Sequence, residues 1–264
     1  MKKRKSNFPA KPAAIVLIIL LASCFILGYI WRILTTAEYF RVRDIVSKEV
    51  LSVDLSYLKG KNIFELNLPQ EAANIIGGCP DCSRIRLARV LPDRIFVELI
   101  RRKPVAFIKL YRYFAIDGDG FIFQSTLEPD NAALPVITGL ETKIFGPKPG
   151  KRYASNELSA ALLIIKEAAK SRLLNDYKIQ KLIVGGIDNI TVQIPIQRGY
   201  QVSYTDWKAP KEKEFLDVKF GQGNIRDKVV IMAGLINQER RNLGTIKYID
   251  LRFNEPVIKF KDVK

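Results

Sequence analysis

From Ala13 to Trp31 the chain runs nineteen consecutive residues without a charge, nearly all of them apolar. Wound as a helix, such a stretch is roughly 28 Å long, close to the hydrocarbon thickness of a bilayer. Tyr29 and Trp31 stand at its far end, where amphipathic rings favour the membrane interface, and Lys11 and Arg32 bracket it. Residues 13–32 are therefore read as one transmembrane helix in a lipid bilayer, and residues 1–12 as a basic cytoplasmic tail. Lys2, Lys3, Arg4, Lys5 and Lys11 face Arg32, Arg41, Arg43 and Lys48 on the other side. That difference is small, but a short tail with all five charges resists translocation, whereas a long C-terminal part crosses largely regardless of charge. The N-terminus is placed inside and the rest outside.

Leu21-Ala22-Ser23-Cys24 fits a lipobox, the site at which lipoprotein signals are cleaved. Beyond Cys24, however, the chain continues Phe-Ile-Leu-Gly-Tyr-Ile-Trp, an apolar run in place of a polar tether. An uncleaved anchor fits the length and the flanks better.

Of the 264 residues 48% are hydrophobic, enough for a packed core and against disorder. Net charge is +16, and the part beyond the tail still carries +11 from 38 basic and 27 acidic residues. A mixed-sign surface of that kind permits contact with anionic lipid or wall polymers but calls for no nucleic acid. There is no histidine. The side chain most used for proton transfer near neutral pH, and the commonest metal ligand, is thus missing, and no catalytic, cofactor or metal site is expected.

Past the anchor the patterns alternate between strand and helix types, an α+β chain. Tyr39-Phe40-Arg41-Val42-Arg43-Asp44-Ile45 alternates as a half-buried strand does, and a short helical stretch lies near Leu55 to Leu58. Asn67 and Gln70 form a capping box that opens a helix through Ile76, with Gly77-Gly78 to end it. Ile85 to Leu91 and Arg94 to Ile100 alternate on either side of Pro92-Asp93, a hairpin. Residues 39–104 then have the strand, helices, strand, strand order of a POTRA domain, a small extracytoplasmic module that docks other polypeptides.

Val105 to Ile116 reads as one strand that turns at Asp117-Gly118-Asp119-Gly120 and returns through Phe121-Ile122-Phe123. A calcium loop at the same place lacks the acidic or amide residue needed at Phe121 and the glycine needed at Ile122; only Glu128 fits its final position. An amphipathic helix is expected over 156–175 from Leu158, Ala161, Leu162, Ile165 and Ala169, and another from Ile225, Val229, Met232 and Ile236. Strands are expected at Lys181 to Val184, Ile190 to Ile194 and Gln201 to Tyr204. Thr245 to Phe253 and Val257 to Lys261 form a closing pair. Residues 105–264 are thus a larger β-rich domain, two helices packed on a mainly antiparallel sheet.

Cys79-Pro80-Asp81-Cys82 has the spacing of a redox motif without its thioredoxin-like setting, and zinc would need two further ligands that the chain does not offer. The pair is either a local disulfide or two unpaired thiols.

Several stretches together resemble the cell-division family FtsQ, called DivIB in Gram-positive bacteria. They are Tyr39-Phe40-Arg41-Val42, Gly60-Lys61-Asn62-Ile63-Phe64-Glu65-Leu66, Arg89-Val90-Leu91-Pro92-Asp93-Arg94-Ile95, Arg102-Lys103-Pro104-Val105-Ala106, Ile116-Asp117-Gly118-Asp119-Gly120 and Tyr248-Ile249-Asp250-Leu251-Arg252-Phe253. Their order covers almost the whole chain. The resemblance implies a bitopic, non-enzymatic scaffold of the division septum in the inner membrane. It also implies that the C-terminal edge receives FtsB, or its counterpart DivIC, alongside FtsL, that other divisome members are met through the POTRA-type domain, and that septal peptidoglycan synthesis is controlled through them. The alternative is a POTRA-containing envelope protein of polypeptide transport or outer-membrane assembly, although the mixed helix-and-strand pattern does not suit a lipid-facing barrel.

The residues point to the same edge. Pro256 cannot donate to a ladder, so the strand after it is more comfortable at a sheet border, where a partner can add a strand. Val257, Ile258, Lys259 and Phe260 are the candidates; by analogy with the family's Asp-Leu-Arg-Tyr stretch, Arg252 and Phe253 join them, Phe253 lacking the tyrosine hydroxyl. The plainer alternative is that this strand only completes the core.

Overall fold

The computed structural model describes residues 10–49, 53–125, 129, 133–196 and 214–262. The chain divides into two compact units between Ile100 and Arg101.

The first unit begins with helix α1, Ala10–Thr36, within which Ala14–Thr36 is long and apolar enough to span a membrane. Its described side chains lie almost wholly exposed, and lipid is the solvent that suits them. After it come a 3-10 turn (Glu38–Phe40), strand β1 (Asp44–Ser47), a second 3-10 turn (Ser56–Leu58), helix α2 (Leu68–Gly77) and strands β2 (Cys82–Val90) and β3 (Arg94–Arg101). The sheet order is β1-β3-β2, with β1 parallel to β3. This is the POTRA-type arrangement. Asn67 caps α2 by accepting from the Gln70 amide at 3.4 Å, and the chain leaves the helix at Gly78. Leu58, Ile63, Ile95 and Val97 are fully buried between helix and sheet. Cys79 and Cys82 form a disulfide that staples the end of α2 to the first residue of β2.

The first strand differs from the sequence reading. Tyr39 and Phe40 lie in a 3-10 turn, and the strand proper starts only at Asp44. The alternation around Val42 is real, but it serves another partner: Val42 N–H donates to Lys61 O, Gly60 N–H to Val42 O, and Ile63 N–H to Phe40 O. The helical stretch near Leu55 shrinks to one 3-10 turn, because the Asp54 carboxylate takes up the Ser56 amide at 2.9 Å and Gly60, at φ 82°, turns the chain away.

The second unit holds a nine-stranded sheet. Its strands are β4 (Ala106–Lys109), β5 (Tyr113–Ile116), β6 (Ile122–Phe123), β7 (Val136–Thr138), β8 (Lys181–Gly186), β9 (Asn189–Ile196), β10 (Glu214–Phe220), β11 (Ile246–Leu251) and β12 (Val257–Phe260). The order across the sheet is β12-β11-β10-β9-β8-β7-β4-β5-β6, with five antiparallel pairings and three parallel ones. Parallel neighbours need crossovers. Helix α3 (Asn156–Lys170) carries the chain from β7 to β8, and helix α4 (Ile225–Gln238) from β10 to β11. Both helices press their apolar stripes, Leu158, Ala161, Ile165 and Val229, Met232, Ile236 among them, into one core with Ile137, Leu182, Val192, Val218 and Ile249 of the sheet. A smaller cluster of Phe107, Ala115 and Phe123 is separate from it.

The expected single strand over 105–116 is two strands folded back at Leu110 to Arg112, where Leu110 N–H donates to Arg112 O. Leu110 is buried in the turn while Tyr111 points out and the Arg112 guanidinium lies 4.7 Å from the Phe114 ring centre. No glycine or proline marks this turn. The Asp117 loop is closed by its own carboxylate: Oδ1 accepts from the Asp119 and Phe121 amides at 3.0 and 2.9 Å, and Oδ2 from half-buried Arg102 at 2.7 Å. Gly120, at φ 86°, lies against Tyr153, where a Cβ would come within 2.5 Å of the carbonyl oxygen. The helix expected over 156–175 stops at Lys170, since Ser171 turns to an extended conformation and a 3-10 turn follows. The expected strand Gln201 to Tyr204 lies outside the described residues.

Candidate partner-binding edge

Each of the two borders of the large sheet has its own fate. Strand β6 is covered: Ile122 N–H donates to Lys151 O, Gly150 N–H to Ile122 O, and Phe121 bridges to Arg152. Strand β12 pairs only with β11, and among the described residues no strand lies on its other side.

The local sequence builds this border in steps. Strand β11 ends at Leu251, and the chain reverses through Arg252 to Pro256. That reversal is clamped by Asp250, which is buried: its carboxylate accepts from the Arg252 amide at 3.0 Å, from Arg252 Nε at 3.0 and 3.1 Å, and from Nη2 at 2.6 Å. The hydrogen bonds and charge of Arg252, with help from Lys219, hold the Asp250 carboxyl below the usual carboxylate range against the opposing effect of burial. Arg252 is raised in turn by the same bonds. The stem of Arg252 packs over Gly221, where an added Cβ would meet it at 3.2 Å. At the other end of β12, Lys261 N–H donates to Thr245 O at 2.8 Å, and its ammonium group is held by Glu214 and by the Gly244 carbonyl.

The alternation of an antiparallel ladder then assigns the backbone groups. The extra residue in this pairing, Lys247, belongs to β11, so alternation along β12 is unbroken. Because Lys261 turns its amide inward, Lys259 and Val257 do the same. Ile258 and Phe260 turn their N–H and C=O groups toward the open border. Of the side chains, Ile258 packs against the main core, while Val257 and Phe260 are 48% and 51% exposed. Lys259 and Phe253 are exposed, and Phe253 lies with its ring centre 5.9 Å from the Arg252 guanidinium.

Of the six candidates, Val257, Ile258, Lys259 and Phe260 share the border itself, Phe253 lies in the reversal before it, and Arg252 is engaged with Asp250. Asp250 was missed as a determinant of this geometry, although an acid two residues before an arginine at a strand end is a visible cue for such a clamp. Lys261 was missed for a different reason, since its partner Glu214 is remote in sequence.

Fold and border together define a class: a protein with one N-terminal helix fit to span a membrane, a POTRA-type unit and a mixed-sheet unit with one edge strand that has no outer neighbour among the described residues. No protein-family model matches the chain. Curated relatives do. Cell division protein FtsQ of Geotalea daltonii is 25% identical over 240 residues, covering 88% of this chain and 80% of its own length. Its namesake in Syntrophotalea carbinolica is 22% identical, covering 86% and 76%, and that of Koribacter versatilis is 24% identical, covering 97% and 73%. These relatives support assigning the chain to the FtsQ family, with a role in cell division.

Proposed function

We propose that this protein is a non-enzymatic scaffold whose β12 border takes up a strand from a division partner of the FtsB/DivIC and FtsL kind, and through it controls septal peptidoglycan synthesis. One observation carries the reading: the border strand offers the outward N–H and C=O groups of Ile258 and Phe260 beside exposed apolar side chains, while the opposite border is already covered. Unpaired strand groups form hydrogen bonds with an added strand, and alternate side chains give it specificity. The best-supported topology puts the tail of residues 1–12 in the cytoplasm and both folded units outside, at the septum. The Cys79–Cys82 disulfide supports that side, since disulfides persist in oxidising compartments.

Affinity capture of the solubilised full-length protein, followed by mass spectrometry, tests the reading. Division proteins are expected with the native chain and are lost with Phe260→Asp, while the thermal transition is retained. Recovery of translocation or outer-membrane assembly components, or capture unaffected by Phe260→Asp, overturns it.

A further inference from the structure

Helix α1 ends with three of its last four carbonyls bonded, those of Ile33, Leu34 and Thr35. The last four carbonyls of a helix lack intrahelical donors and are met by side chains, by the following turn or by water. Here Ala37 N–H donates to Ile33 O at 3.0 Å. The Asn62 carboxamide, from the loop after the second 3-10 turn, donates to Leu34 O at 2.9 Å and Thr35 O at 2.7 Å. One turn earlier, the Thr35 and Thr36 hydroxyls cover the Trp31 and Arg32 carbonyls. Asn62 is buried, and its own Oδ1 accepts from the Phe64 amide at 2.8 Å. One side chain thus pins the anchor helix to the POTRA-type unit.

The same junction carries a chain of rings. Trp31 meets Phe64 edge-on at 6.5 Å, Phe64 meets Phe40 at 5.1 Å, and Phe40 meets Tyr39 at 5.3 Å. Trp31 and Tyr39 are 56% and 64% exposed. Thr35 lies four residues beyond Trp31, about 6 Å along the helix axis, and the headgroup layer outside the hydrocarbon is about 5–7 Å deep on each side. With Trp31 at the hydrocarbon boundary, the Asn62 carboxamide at Thr35 O falls inside that layer, and Phe64, Phe40 and Tyr39 continue the run of rings that starts at Trp31. Exposed rings are favoured there and disfavoured in water.

We propose that Trp31, Tyr39, Phe40 and Phe64 form a lipid-interface seat, with Asn62 as its pin, that holds the POTRA-type unit flush against the headgroups of the bilayer spanned by α1. The occupant is phospholipid, and the seat continues the surface of the span. This rests on α1 being inserted, so the test separates the two.

Full-length protein carrying Cys24→Ser is reconstituted in phosphatidylcholine vesicles with a nitroxide at residue 39 (Tyr39→Cys) or residue 20 (Leu20→Cys); the disulfide leaves Cys79 and Cys82 unreactive to the label. Collision of the label with oxygen, which dissolves in lipid, is compared with collision with an aqueous nickel chelate. Both labels are expected to favour oxygen, residue 39 less strongly. A label at 39 that meets the chelate freely, while that at 20 does not, overturns the seat. Free access at both overturns insertion and the seat with it. Asn62→Asp keeps the acceptor for Phe64 and loses both donors, and Asn62→Leu is a second variant of similar size. Each is expected to raise chelate collision at 39 several-fold without change at 20; no change at 39 in either variant overturns the pin.

Discussion

Replacing Phe260 by proline separates the border from the rest of the fold. Its amide points outward, so the change removes a donor offered to a partner while leaving the ladder to β11 intact. The exposed half of the ring, 51% of a side chain that buries about 200 Å² in full, leaves about 100 Å² for a partner to cover. At about 25 cal/mol per Å² that is about 2.5 kcal/mol, and the lost backbone bond adds about 1 kcal/mol. Phe260→Pro should therefore weaken partner binding by more than a hundredfold, each 1.4 kcal/mol being a factor of about ten. Phe260→Ala should lose only the ring's share. Lys259→Pro removes an inward amide and should instead lower the thermal transition of the sheet. The assay is biolayer interferometry of the full-length protein in nanodiscs against an FtsB-like partner, with melting curves for each variant. Binding within twofold of native for Phe260→Pro, or a lower melting temperature for Phe260→Pro than for Lys259→Pro, would refute the assignment of outward and inward groups.

Three further outcomes are expected. The Asp250 carboxyl is held low in the folded state, so its contribution is complete above the ordinary carboxylate pKa and is lost as pH falls through the lowered folded value; urea unfolding between pH 7 and pH 3 should show this slope, and Asp250→Asn should flatten it. Gly139, at φ 90°, lies where a Cβ would come within 2.3 Å of Val184 O, and Gly139→Ala should cost about 3 kcal/mol in denaturant titrations. Paired Cys79→Ser and Cys82→Ser changes open a loop of separation 3 and should destabilise the first unit by about 2 kcal/mol, with reductant no longer affecting its unfolding.

Much of this architecture was legible where periodicity and capping agree. The span, the Asn67 cap, the β2–β3 hairpin, both amphipathic helices and the closing strand pair all follow from local pattern. Failures came where a segment serves a distant partner. Val42 alternates like a strand residue yet bonds to Lys61, and Leu110 to Arg112 make a turn held by ring and guanidinium contacts and not by turn residues. Strand β10 was overlooked despite clear alternation, with Leu216, Val218 and Phe220 buried. Strand β7 has only three residues and gains its place from parallel neighbours on both sides. At the candidate border the strand and its proline were readable, but the outward sense of Ile258 and Phe260 required the Lys261 to Thr245 bond.

Residue-resolved hydrogen–deuterium exchange, with and without the FtsB-like partner, tests the border most directly. The amides of Ile258 and Phe260 should exchange quickly in the free protein and slow sharply in the complex, whereas that of Lys259 should be protected throughout. Slowing confined to other surfaces, with Ile258 and Phe260 unchanged, would contradict strand addition at β12.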